Sequence, residues 1–361
     1  MRERIDAIDF WRGAALATIF INHIPGNVLG NLTPRNFGFS DSAEAFVFLS
    51  GLSVVTAYKR RFESRDLVRA VSSVLKRALR LYQVHLILTV TALLLFGVAA
   101  AVTGQDALLA DHGRGTPFSD PLRGMIGILM LTHQIGYFNI LPLYVALMLL
   151  TPALFVVGLQ SPWKMLGLSA ALYAATRALG VNVPSWPDEG FWYFNPLAWQ
   201  LLFALGMFCG FTAAQREAAL GRLIYWLAHL FTLIAAFIVS NGLGLIPGLV
   251  DAAGEYLDWD KTQLGAVRIV DFLALAYVIY FSGVTMRLRD TCLYPAASLL
   301  GRHALPVYCL GSVLSAVGQI LNETWMASPF LDVLFVALGL KGLHSVAEML
   351  ERRSDTRLAL A

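Results

Sequence analysis

Arg12 and His23 stand eleven residues apart at the two ends of an apolar run, RGAALATIFINH, and a membrane helix carries such residues only for a reason. Eleven residues are close to three helical turns, so both side chains share one face, about 16 Å apart along the axis. A neutral imidazole titrates near working pH and can take a proton from a sugar or water hydroxyl. The plainer alternatives are that His23 only hydrogen-bonds a neighbouring helix and that Arg12 snorkels to the interface.

A second apolar run opens on Ser40-Asp41-Ser42-Ala43-Glu44 and continues to Ser50-Gly51. Asp41 and Glu44 have the three-residue spacing of a capping box. Because this helix begins near where the first ends, either carboxylate could also orient His23 or stabilise its imidazolium. Ser50-Gly51 suits close helix contact.

Eight cations follow between residues 59 and 80: Lys59, Arg60, Arg61, Arg65, Arg69, Lys76, Arg77 and Arg80. They mark the cytoplasmic side and attract acidic lipids, or they bind a phosphorylated donor. His85 lies just beyond. Late in the chain, Gly301-Arg302-His303-Ala304-Leu305-Pro306 interrupts an apolar region and predicts a discontinuous helix, with Arg302 and His303 as structural or donor-site residues. Arg35, His133, Asn139, Asn195 and Trp192 put polar groups beside aromatic ones, which suits sugar binding or an aromatic belt. Arg268 and Asp271 are spaced to pair on one helix face.

The elements that must position these residues are membrane helices. The 361 residues are 57% hydrophobic and 14% charged, against roughly 25% charged for a soluble domain. Apolar runs near 13–24, 42–57, 84–102, 140–158, 165–180, 197–212, 223–247, 266–285, 304–321 and 329–349 predict an all-α, polytopic integral membrane protein of about ten transmembrane helices. They form one membrane domain, 1–361. A net charge of +3 is too small to suggest nucleic acid. Cys209, Cys292 and Cys309 are odd in number and lack metal-ligand spacing, so neither a disulfide framework nor a metal is expected. No internal repeat of fixed period is evident.

Arg2, Arg4 and Arg12 precede the first run, and no small-residue cleavage pattern follows it, so an uncleaved first span is expected. Lys and Arg then crowd into alternate connections, among them Lys164, Arg216 with Arg222, Arg287 with Arg289 and Arg302, and Arg352 with Arg353 and Arg357. Ten spans place both termini in the cytoplasm. Residues 122–135 are apolar but short, and counting them would invert every later loop. They are expected to form a re-entrant or interfacial helix.

The Arg-to-His spacing, the string FVFLSG and the segment KRALRLYQVH resemble the acyltransferase-3 superfamily. More closely, RIDAIDFWRG, INHIPGN, FGFSDSAEAFVFLSG, FNILPLYV and LGRHALPVYCLGSVLS are similar to the OpgC family of membrane succinyltransferases. The resemblance implies a bacterial inner-membrane O-acyltransferase that moves a succinyl group from cytoplasmic succinyl-CoA to hydroxyls of a periplasmic osmoregulated glucan, with no metal. It further implies His23 as general base, Arg12 orienting the donor or the catalytic side chain, Asp41 or Glu44 supporting the histidine, and Asn22 or Arg12 as donor to the developing oxyanion; an acyl-enzyme through Ser40 or Ser50 stays open, although neither has a recognisable nucleophile setting. The basic segment would hold the nucleotide end of CoA, whose pantetheine arm would thread past Arg12. Two other classes fit intramembrane ionisable residues: a proton-coupled transporter or channel for a small anion or lipid, and a non-enzymatic scaffold. The sequence leaves the oligomeric state open.

Overall fold

The computed structural model describes residues 6–64, 66–213, 222–324 and 328–359. Arg2, Arg4, Arg65 and Arg216 lie outside the described residues, as does the side chain of Arg357. The described chain is all-α, with sixteen α-helices. They are α1 (Asp6–Asn22), α2 (Ser42–Glu63), α3 (Leu67–Thr103), α4 (Ala107–Ala110), α5 (Thr116–Ser119), α6 (Pro121–Leu129), α7 (Ile140–Gln160) and α8 (Pro162–Leu179). Then come α9 (Pro196–Thr212), α10 (Arg222–Val239), α11 (Leu249–Gly254), α12 (Ala266–Phe281), α13 (Val284–Leu288), α14 (Leu293–Arg302), α15 (Ala304–Thr324) and α16 (Pro329–Ala359).

Each of the ten apolar runs is helical over most of its length, but among the described residues five helices are both long and apolar enough to cross a membrane: α3, α7, α10, α15 and α16. The described parts of α1, α9 and α12 have 17, 17 and 16 residues, at or just under the lower end of the roughly 17–25 that cross a hydrocarbon layer. Lys59, Arg60 and Arg61 lower the hydropathy of α2, and Lys164 and Arg177 that of α8. The nine residues of α6, about 13 Å, overlap the start of 122–135, and an irregular run follows them. Asp120 caps α6 by accepting from the Arg123 N–H at 3.1 Å. The break expected near residue 303 is present, since α14 ends at Arg302 and α15 starts at Ala304.

The chain groups into two compact units. The first comprises residues 1–46, 220–257 and 270–361. Its centre is α1, whose buried Phe10, Leu16 and Phe20 meet α14 and α15. Phe10 stacks on Tyr294 at 4.6 Å, and Trp11 Nε1 donates to Thr285 Oγ1 at 3.1 Å. Two glycines set the approach of α1 to α14. A Cβ on Gly13 would run into the Ala297 carbonyl, and one on Gly301 into the Asp9 carbonyl. Small residues serve membrane helices in this way, because backbones can then gain dispersion contacts that lipid would otherwise supply.

The second unit comprises residues 47–219 and 258–269. Gly51 of α2 and Gly206 of α9 make the same kind of contact, each against the other helix's backbone at Phe203 and Phe48. Phe62 stacks on Phe155 at 4.4 Å. Between α8 and α9, Ser169 Oγ donates to Gln200 Oε1 at 2.5 Å and Gln200 Nε2 donates to the Ser169 carbonyl at 2.9 Å. Both side chains are buried, and the exchange satisfies polar groups that apolar surroundings would penalise.

Gly301→Val drives a branched side chain into the α1 backbone and is expected to cost at least about 1–3 kcal/mol. Gly167→Ala, on an exposed helical position with open space around it, is expected to be neutral or to stabilise by up to about 1 kcal/mol. Thermal unfolding in detergent of both variants checks the contrast.

Candidate functional site

A helix leaves its last four carbonyls without intrahelical partners, and in apolar surroundings each must find a donor. α1 ends at Asn22, and the His23 N–H still bonds the Ile19 carbonyl at 3.0 Å, so His23 completes the final turn. The carbonyls beyond are met by side chains. Ser315 Oγ donates to Phe20 O at 3.3 Å, Gln319 Nε2 to His23 O at 2.7 Å and Asn322 Nδ2 to Pro25 O at 2.9 Å. Asn27 Nδ2 donates to Ile21 O at 2.8 Å and to Ile24 O at 2.5 Å. Ser315, Gln319 and Asn322 are spaced at i, i+4 and i+7, which places them in one stripe on α15. His23 is therefore positioned through its main chain.

The half-buried His23 lines a narrow crevice with Leu16, Ile19 and Phe20 of α1 and Tyr308, Ser312 and Ser315 of α15. Its volume is about 10 Å³, room for roughly one water. Asn22 Oδ1 accepts from Thr33 Oγ1 at 2.7 Å, which ties the helix end to the following loop. The exposed Arg35 reaches the Asn22 carbonyl at 3.5 Å. At the other end of α1, Arg12 Nη1 lies 3.3 Å from Asp9 Oδ1 and 3.3 Å from the Gly301 carbonyl. The Arg12 side chain is 16% exposed, so this ion pair is drier than a surface pair. The unit thus fixes Arg12 on α14 and His23 on α15.

Arg302 and His303 meet at one carboxylate. His303 Nε2 is 2.6 Å from Glu351 Oε2, and Arg302 Nε is 3.3 Å from Glu351 Oε1. Glu351 on α16 so holds the break between α14 and α15. Asp41 and Glu44 form the capping box: Glu44 Oε2 accepts from the Asp41 N–H at 2.8 Å, and Asp41 Oδ1 from the Ala43 N–H at 2.8 Å. Glu44 is fully buried. Just before the cap, the Ser40 N–H and hydroxyl both donate to Asp271 Oδ2, at 2.8 and 2.6 Å.

The remaining candidates belong to the second unit. Arg60, Arg61, Lys76 and Arg80 are exposed, and Arg77 is half-buried. His85 is fully buried; its Nδ1 lies 3.5 Å from Thr89 Oγ1, and its Nε2 has no partner among the described residues. Ser50 Oγ and Tyr144 Oη are 2.7 Å apart. Asn195 is fully buried and caps α9 by accepting from the Leu197 N–H, while its amide donates to Val181 O and Gln263 Oε1, each at 2.7 Å. Asn139 precedes α7 without a side-chain cap, and Trp192 is buried. The buried His133 sets Nδ1 3.2 Å from Asp188 Oδ2, and Asp188 Oδ1 accepts from Thr116 Oγ1 at 2.6 Å. Burial pushes the His133 pKa down; Asp188 and the Gly113 backbone pull it up by less, so the folded-state value lies below the ordinary one.

A family model described as OpgC protein matches residues 4–355. No curated protein and no solved structure matches the chain.

Sequence reading passed over Gln319, Ser315, Asn322 and Glu351. The signal that could have found the first three is the polar stripe within an apolar helix. Gln319→Leu leaves the His23 carbonyl without its donor and is expected to cost about 1–3 kcal/mol, measured by thermal unfolding. For His133 the unfolded chain takes up a proton below about pH 6.5 that the folded chain resists. Stability is therefore expected to fall as pH drops through 6.5, by up to about 1.4 kcal/mol per pH unit from this group. Thermal midpoints of wild type and His133→Asn between pH 5 and 8 check that the slope shrinks in the variant.

Proposed function

The chain belongs to the OpgC family, whose activity is succinylation of glucans, and we propose that it carries this out as a ten-span bacterial inner-membrane enzyme with both termini in the cytoplasm. The family match over residues 4–355, with Arg12 and His23 inside it, carries the reading. Succinyl-CoA is the donor and a periplasmic glucan hydroxyl the acceptor.

His23 takes the proton of the glucan hydroxyl as its oxygen attacks the thioester carbonyl. The new ester C–O bond forms, the C–S bond breaks, and the CoA sulfur leaves with the electron pair and takes up the proton. Arg12 and His23 cannot address the same atom, since about 16 Å of helix separates them. Arg12 is accordingly a residue for the donor, and Asn22, beside His23, is the nearer group for the oxyanion. The cations at 60, 61, 76, 77 and 80 supply charge for the nucleotide phosphates, which the exposure of four of them supports. Arg302 and His303, spent on Glu351, hold the helix break. Asp41 and Glu44 fix the start of α2 through their cap. His133, Asn139, Trp192 and Arg35 remain the acceptor-side candidates, while the buried contacts of Asn195 favour a structural part.

Transfer of labelled succinyl from succinyl-CoA to periplasmic glucan by the purified protein tests the assignment. His23→Ala is expected to lower the rate by at least about 10²-fold without shifting the thermal midpoint. A folded His23→Ala protein that transfers at the wild-type rate removes His23 from the mechanism; a wild type that transfers nothing removes the enzyme reading.

A further inference from the structure

At the end of the first unit where α1 stops and α16 starts, two buried oxygens have no hydrogen-bond donor among the described residues: Asn322 Oδ1 on α15 and Asp332 Oδ1 on α16. Asp332 is 9% exposed. The orientation of the Asn322 amide is fixed, because its partner is the Pro25 carbonyl and only the amide nitrogen can donate to it. That leaves Oδ1 facing elsewhere.

The two helices run antiparallel: Gly311 lies against Leu343, and Gly318 against Phe335. Continuing this register sets Asn322 beside residues 331 and 332. Asp332 also continues the stripe of Val336, Leu343 and Ala347, all fully buried, in which Gly339 lies against Phe20 of α1. Asp332 therefore occupies an inward-facing position at the level of the half-buried Asn322. Gln319, three residues before Asn322, holds His23, so this level is about one helical turn beyond the histidine.

Buried acceptors are ordinarily paired, and an unpaired buried carboxylate oxygen is a cost that an apolar residue would avoid. What the pair lacks is a donor. One carboxylate and one amide oxygen are too few for a hard cation, which takes six to eight oxygens, and no group of three or more His, Cys, Asp or Glu stands together among the described residues. A hydroxyl supplies one proton to such acceptors and is uncharged, so it can enter a partly apolar site. We propose that Asn322 and Asp332 form a hydroxyl-binding subsite that takes the carbohydrate acceptor. This rests on the reading of the chain as a glucan succinyltransferase, and it names the residues that steer a hydroxyl towards His23.

Equilibrium dialysis of radiolabelled periplasmic glucan against the full-length protein in detergent, without acyl donor, tests it. Asp332→Leu is expected to weaken glucan binding at least tenfold while the thermal midpoint holds or rises, because the variant removes a buried oxygen that had no donor. Equal affinity in the two proteins overturns the subsite, as it would if water alone met the two oxygens. A wild type that binds no glucan, or weaker binding accompanied by a lower midpoint, overturns it as well. Should Asp332→Leu fail to fold, Asp332→Asn keeps the shape but not the charge; at least threefold weaker binding is expected, and unchanged affinity sinks the proposal. Glucan binding that depends on Asp332, in a protein that transfers no succinyl group, would end the catalytic reading and leave the subsite standing.

Discussion

The main-chain carbonyls at the end of α1 impose the constraint on which the first unit depends. In water such groups would be solvated; in apolar surroundings each unmet one costs several kcal/mol. Here Phe20, Ile21, His23, Ile24 and Pro25 each receive a side-chain donor, from Asn27 or from the stripe on α15. Meeting this requirement fixes more than the backbone. It sets the axial register of α15 against α1, and with it the residues that face His23 across the crevice.

That register is compatible with the close packing lower down. Gly13 and Gly301 allow α1 and α14 to approach backbone to backbone, and the Gly301 carbonyl then comes within reach of Arg12. A bulkier residue at either glycine would separate the helices and move the Arg12 partner with them. The break at His303 lets α14 and α15 diverge from that tight contact, and Glu351 anchors the break through both Arg302 and His303. Packing at one end of α1 and hydrogen bonding at the other thus hold a cation and an imidazole on one rod.

The parts legible in the sequence are those that depend on near neighbours. The Arg12 to His23 spacing, the capping box of Asp41 and Glu44, and the interruption around His303 all follow from helical periodicity and local main-chain chemistry. All ten apolar runs announced helices, but length and composition separate five of them from the rest, and periodicity does not weigh a lysine or arginine at a helix end. What stayed hidden depends on distant pairing. Ser40 meets Asp271 from 231 residues away, His303 meets Glu351 from 48, and Gln319 meets His23 from 296. Nothing in a local window distinguishes these from polar residues that merely face lipid headgroups. The polar stripe of α15 was visible as a pattern, but its purpose required knowing which helix end it faced.

Holding a histidine through its main chain has a chemical consequence. On the proposed reading of His23 as a general base, one ring nitrogen has to stay available for the proton it takes. The Gln319 bond to the His23 carbonyl fixes the position of Cα and itself draws on neither ring nitrogen. The same economy explains why α15 carries amides and a hydroxyl on this face and not charged groups. Neutral donors can satisfy carbonyls in a medium of low dielectric without adding a charge that would repel an imidazolium or trap it. Hydrogen bonds to the main chain thus set both where α1 ends and where the His23 Cα stands.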